Sequence, residues 1–89
     1  MAERPNVILI MVDQMRAGAS RLYSRYGCRT PSLERLAARG VTYDLAFTPQ
    51  PLCVPARVAL WTARYPSDTG CQLNNTPMPP GLENGASAF

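Results

Sequence analysis

The chain has 89 residues, is 46% hydrophobic and carries a formal net charge of +3. All nine of its basic residues are arginine, and neither lysine nor histidine is present. A chain of this length forms at most one small domain, and arginines spread along it without a basic patch disfavour nucleic-acid binding. The apolar run 7–12 is far shorter than the roughly 20 residues that span a membrane, so we expect no membrane partner.

The cysteine content indicates the redox environment. Cys28, Cys53 and Cys71 are an odd number of cysteines at unrelated spacings, without a zinc-type pair. This pattern favours free thiols in a reducing compartment, and we therefore expect a cytoplasmic protein.

Two segments of the chain are predicted to be β-strands. Residues 6–12 form a continuous apolar run typical of a parallel strand that is covered on both faces, and the run ends at Asp13. In open α/β sheets, ligands bind at the carboxyl ends of such strands. Residues 15–29 are predicted to be loop with one helical turn, and residues 41–47 alternate as a second strand.

Two helices are predicted between and after these strands. Thr30 is a suitable N-cap, Pro31 suits the first helical position, and Gly40 is a suitable stop. The second helix is predicted from about Pro55 to Arg64, and the sequence after it is rich in turn residues. The predicted buried face of this second helix consists of Val54, Val58 and Trp61. The order strand, helix, strand, helix indicates an α/β fold with a sheet that lacks neighbouring strands in this chain.

The segment around Cys53 has the strongest chemical pattern. A proline follows Cys53 by two residues and Arg57 follows it by four, a spacing that resembles the pattern at which cysteine is oxidised to formylglycine. If a helix begins at this point, its unpaired N–H groups and its dipole favour an anion beside residue 53. Arg57 would share the same helical face, and its planar guanidinium suits a tetrahedral oxyanion.

Four ordered segments, 6–14, 30–41, 51–57 and 62–66, together resemble the beginning of the type I sulfatases of the alkaline phosphatase-like superfamily. The resemblance implies that residues 1–89 are an N-terminal fragment of a sulfatase catalytic domain, without a second domain. It also implies a sandwich around a mostly parallel central sheet, incomplete in this chain. The Asp13–Gln14 pair is most similar to the choline-sulfatase and phosphonate monoester hydrolase branch.

The resemblance also implies a site. Cys53 would be converted to formylglycine (3-oxoalanine) by a maturase, and Arg57 would orient it during hydrolysis of a small-molecule sulfate ester. Asp13, Gln14 and the modified Cys53 would bind a divalent metal, with calcium expected first and manganese, magnesium or zinc as alternatives. Asn74 and Asn75 are candidates for substrate contact, with turn asparagines as the alternative.

The sequence departs from the family pattern and leaves alternatives open. Val54 and Ala63 replace a usual small residue and a usual glycine, and the later family motifs that complete the metal site are not present in this sequence. Because of this, we do not expect these 89 residues to be active alone. The alternatives are a phosphonate monoester or phosphodiester hydrolase of the same superfamily and a non-catalytic truncated remnant.

Overall fold

The computed structural model describes residues 4–82, which divide into one unit that ends at Asp44 and another that begins at Leu45. None of the helices in the described part of the chain has both the length and the apolar character needed to cross a membrane.

The first unit is organised around a closed loop. A 3-10 helix, Ala17–Ala19, leads into Ser20, which forms an isolated parallel bridge with Cys28. The Cys28 N–H donates to the Ala19 carbonyl at 2.8 Å, and the Arg21 N–H donates to the Cys28 carbonyl at 3.1 Å. Gly27 is required here because a Cβ at that position would lie 2.4 Å from the carbonyl carbon of Ser20. The predicted loop with one helical turn is therefore confirmed.

Helix α1, Pro31–Ala37, begins as predicted at Pro31 and ends three residues before Gly40. Its N-cap residue is Thr30, but the Thr30 side chain does not cap the helix as predicted. The Thr30 hydroxyl instead pairs with the buried Ser20 hydroxyl at 2.7 Å, and the Thr30 N–H donates to Glu34 Oε1 at 3.2 Å. The hydroxyl is thus used to hold the closed loop against the start of α1, and Glu34 satisfies the donor at the helix entrance.

The two predicted strands are not formed: residues 4–82 contain only the isolated bridge between Ser20 and Cys28. The apolar side chains of both segments are exposed, with Val7 at 87% and Phe47 at 88%. A strand requires a neighbour whose backbone accepts and donates the ladder hydrogen bonds, and neither segment has one in the described part of the chain. The predicted central sheet therefore stays a prediction.

The second unit contains helix α2, Cys53–Thr62, and the short helix α3, Pro66–Thr69, which contact each other. The prediction of a second helix is confirmed, although it begins and ends two residues earlier than expected. The most buried residues of this unit are small: Pro55, Pro66, Thr69 and Cys71, the last with 0% exposure. The predicted buried face is wrong at Trp61, which is 45% exposed, while Val54 and Val58 are half-buried. Helix α3 lies where only turns were predicted.

Helix α2 is followed by Ala63, its C-cap residue, which adopts left-handed backbone angles with φ of 53°. Glycine is favoured at this kind of helix end because a Cβ is strained there. We therefore expect Ala63→Gly to raise the stability of the second unit by about 0.5–1 kcal/mol, the relief of strain being partly offset by the greater freedom of glycine in the unfolded chain.

Thermal and urea unfolding followed by circular dichroism would measure this change. Gly70, with φ of 73° and open space around it, provides the matched reverse substitution. Gly70→Ala is expected to destabilise the unit by a similar amount. A lower stability for Ala63→Gly would contradict the assignment of strain at residue 63.

Candidate active site

Cys53 is the first residue of α2, and its side chain is exposed. The preceding residue, Leu52, has extended backbone angles, so the chain changes from extended to helical at the cysteine. Cys53 therefore lies at the N-terminus of α2, although the sequence predicts that this helix begins at about Pro55. This position places residue 53 beside the positive end of the helix dipole and within reach of solvent.

Pro55 explains how the helix can begin here. It is the third residue of α2 and is among the fully buried residues of the chain. The first intrahelical hydrogen bond follows it and joins the Ala56 N–H to the Leu52 carbonyl at 3.0 Å. Since the third residue of a helix has no intrahelical acceptor for its N–H, a proline at this position removes a donor that would otherwise need a partner.

Arg57 follows Cys53 by four residues within the same helix and is also exposed. Residues at this spacing are neighbours on a helix surface. The structure therefore brings the two predicted catalytic positions, Cys53 and Arg57, to one face of α2.

Asn74 has a direct connection to the same helix. The Val54 N–H donates to Asn74 Oδ1 at 3.0 Å, so a side chain 20 residues away caps the first turn of α2. Asn74 and the exposed Asn75 are the central residues of a turn closed by a bond from the Thr76 N–H to the Leu73 carbonyl at 3.1 Å. Both are thus turn asparagines, and their contact with a substrate stays a prediction.

The cap by Asn74 was missed in the sequence, although one signal could have indicated it. Leu52, the N-cap residue of α2, has no side-chain acceptor, whereas helices usually begin with Ser, Thr, Asp or Asn. A missing local cap leaves the first N–H groups of a helix to water or to a polar group from elsewhere in the chain, and the sequence does not say which.

Asp13 and Gln14 belong to the first unit, whereas α2 belongs to the second. They form a turn in which Gln14 has a φ of 52°, and both side chains are exposed. Within residues 4–82, no three Asp, Glu, His or Cys side chains are grouped so that they could hold a metal ion. Carboxylate and amide oxygens suit calcium, but this ion takes six to eight oxygen ligands, so the described residues do not fit a complete calcium site.

Comparison with known proteins identifies the family. The profile of the family described as Sulfatase matches residues 5–88. The chain is 42% identical over 69 residues to human steryl-sulfatase and 38% identical over 71 residues to the N-acetylgalactosamine-6-sulfatase of Sus scrofa. It is 34% identical over 76 residues to an ulvan-active sulfatase of Formosa agariphila.

These alignments cover 78%, 80% and 85% of the chain, but only 12%, 14% and 15% of the three relatives. The chain thus spans less than a sixth of the length of these relatives. No solved structure matches the chain significantly. The predicted closeness to the choline-sulfatase branch is not tested by these relatives and stays a prediction. The match of the family profile to nearly the whole chain shows that this protein belongs to the sulfatase family.

Proposed function

We propose that this chain provides the part of a sulfuric-ester hydrolase that carries the nucleophile, with Cys53 as the precursor of formylglycine. The observation that carries the proposal is the exposed Cys53 at the first residue of α2, followed within one turn by the buried Pro55 and by Arg57. Membership of the sulfatase family supports this reading and implies an alkaline phosphatase-like fold for the domain. The names of the relatives favour sulfate esters as the substrate class.

The local structure fits formylglycine at position 53. The side chain is exposed, so both a maturase and a substrate can reach it, and no neighbouring cysteine competes for the thiol, since all three cysteines are free. Formylglycine, when present as its hydrate, supplies an oxygen nucleophile for attack on the sulfur of a sulfate ester.

The residues of this chain would serve that chemistry by orienting the sulfate beside residue 53 and by balancing its negative charge. The start of α2 favours negative charge beside residue 53, where the sulfate would bind. Arg57 would neutralise the sulfate oxygens from the next turn of the helix, because its guanidinium forms strong charge-assisted hydrogen bonds with oxyanions. Asn74 and Asn75 are proposed to lie near the substrate.

We further propose that Asp13 and Gln14 contribute oxygen ligands to a divalent metal, calcium in first place. Because the described residues do not fit a complete site, no catalytic step is assigned to the metal. A cytoplasmic location and a dedicated maturase as partner are likewise proposals, which follow from the free thiols and from the Cys53–Pro55–Arg57 pattern.

The test is peptide mass spectrometry on the chain after coexpression with a formylglycine-generating maturase. We expect the peptide that contains Cys53 to lose one sulfur and two hydrogens and to gain one oxygen. Cys28 is an internal control, because it is also exposed but lacks a proline two residues later and an arginine four residues later. An unchanged thiol at Cys53, with a known substrate of the maturase converted in parallel, would contradict the proposal.

A further inference from the structure

Two hydrogen bonds tie the segments on either side of Cys53 to one stretch of chain. Before the cysteine, Gln50 Nε2 donates to the Gln72 carbonyl at 2.9 Å. After it, the Val54 N–H donates to Asn74 Oδ1 at 3.0 Å. The residues 71–76, here called the clamp segment, therefore bind the chain at Gln50 and at Val54, on either side of Cys53.

The clamp segment is itself anchored. Cys71 is completely buried, its N–H donates to Thr69 Oγ1 at 3.3 Å, and its thiol donates to the Thr76 carbonyl at 3.4 Å. The bond from Thr76 to Leu73 closes the turn between them. A segment fixed by a buried residue and by its own hydrogen bonds can act as a firm support for the two bonds to the Cys53 region.

Of the two bonds, that of Asn74 acts closest to the cysteine. In the first turn of α2, Leu52 has no side-chain acceptor and Pro55 has no N–H. The Val54 N–H of this turn is capped by the side chain of Asn74. We propose that Asn74 is a positioning residue for Cys53, acting through the Val54 N–H to fix the first turn of α2. The role of Asn74 in catalysis rests on the proposed function, whereas the hydrogen bond from the Val54 N–H to Asn74 does not depend on that proposal.

Substitutions at Asn74 can distinguish a residue that caps the first turn of α2 from one that only stabilises its own turn at residues 73–76. Alanine at position 74 removes the acceptor, whereas aspartate keeps an acceptor oxygen and adds a negative charge next to the first turn. The cap on α2 should therefore be kept by aspartate and lost with alanine. A residue that only stabilised the turn at 73–76 would instead change the protection of the Thr76 N–H, which closes that turn.

The experiment uses the unmodified 89-residue chain, made without a maturase. Hydrogen exchange measured by NMR reports on the Val54 N–H and on the Thr76 N–H separately. We expect Asn74→Ala to speed the exchange of the Val54 N–H by about fivefold, the equivalent of a typical lost helix cap. We expect Asn74→Asp to keep the exchange of the Val54 N–H near wild type, and we expect the Thr76 N–H to exchange at a similar rate in all variants.

Leu73→Ala is the matched control, because it shortens an exposed side chain in the same turn without removing the cap. In this control the Val54 N–H should exchange as in the wild-type chain. The proposal would be overturned by a Val54 N–H that exchanges like an unstructured peptide in the wild-type chain. It would equally be overturned by an Asn74→Ala variant in which the exchange of the Val54 N–H is unchanged. The exchange measurement involves neither formylglycine nor hydrolysis, so failure of the proposed function would be seen separately, in the maturation experiment.

Discussion

A Cys53→Ala variant is expected to lose sulfate-ester hydrolysis by several orders of magnitude in a sulfatase polypeptide that carries this segment. Alanine has no thiol to oxidise, so the variant cannot form the aldehyde that we propose as the source of the oxygen nucleophile. Removal of a covalent nucleophile is among the most damaging single changes in enzymes of this kind. The measurement is kcat/KM for a chromogenic aryl sulfate, with wild type and variant both coexpressed with the maturase.

The matched control is Cys28→Ala, which removes a second exposed thiol from the same chain. This variant should keep wild-type activity, because Cys28 lies in the closed loop of the first unit and outside the Cys53–Pro55–Arg57 pattern. Activity retained in Cys53→Ala would place the nucleophile at another residue. Preferential cleavage of an aryl phosphonate by the wild-type protein would instead favour the phosphonate hydrolase alternative.

The helices could be predicted from the sequence because their signals are local. Pro31 marks the start of α1, and the proline in the pattern after Cys53 marks the first turn of α2. The end of α2 was placed two residues too late, because Ala63 carries no glycine signal although its backbone is left-handed. Helix α3 was missed for a related reason, since a single turn among prolines and polar residues has no periodic pattern.

The strands could not be predicted from local signals in the same way. An apolar run indicates which residues can be covered on both faces, but a strand forms only when neighbouring backbone pairs with it. In residues 4–82 the side chains of Val7 and Phe47 remain almost fully exposed. The pattern therefore identified segments suited to a sheet without identifying the partners that would make them strands.

The candidate site shows the same division between local and distant information. Cys53 and Arg57 share a helical face because of their spacing alone, so the sequence placed them correctly. Asn74 accepts a hydrogen bond from the Val54 N–H, which is 20 residues away in the sequence, and no local rule predicts such a distant partner. Asp13 lies in the other unit, and its proposed metal needs more ligands than the described residues supply.

Replacement of Arg57 by alanine is expected to slow formylglycine formation at Cys53 by about ten- to a hundredfold, as for the loss of one charged hydrogen bond. We infer that the maturase recognises Arg57 through its planar group of donors, since the arginine is exposed and follows the cysteine by one turn. The measurement is the initial rate of conversion of the unmodified chain by purified maturase, followed by mass spectrometry of the peptide that contains Cys53.

Two further variants show which property of Arg57 matters. Arg57→Lys keeps the charge but loses the planar fork, so we expect it to recover only part of the rate. Arg64→Ala removes another exposed arginine, located beyond the end of α2, and should be converted like wild type. Circular dichroism would show whether α2 stays helical in each variant. Equal conversion rates for Arg57→Ala and Arg64→Ala would contradict recognition of Arg57, because the maturase would then be reading only the residues next to Cys53.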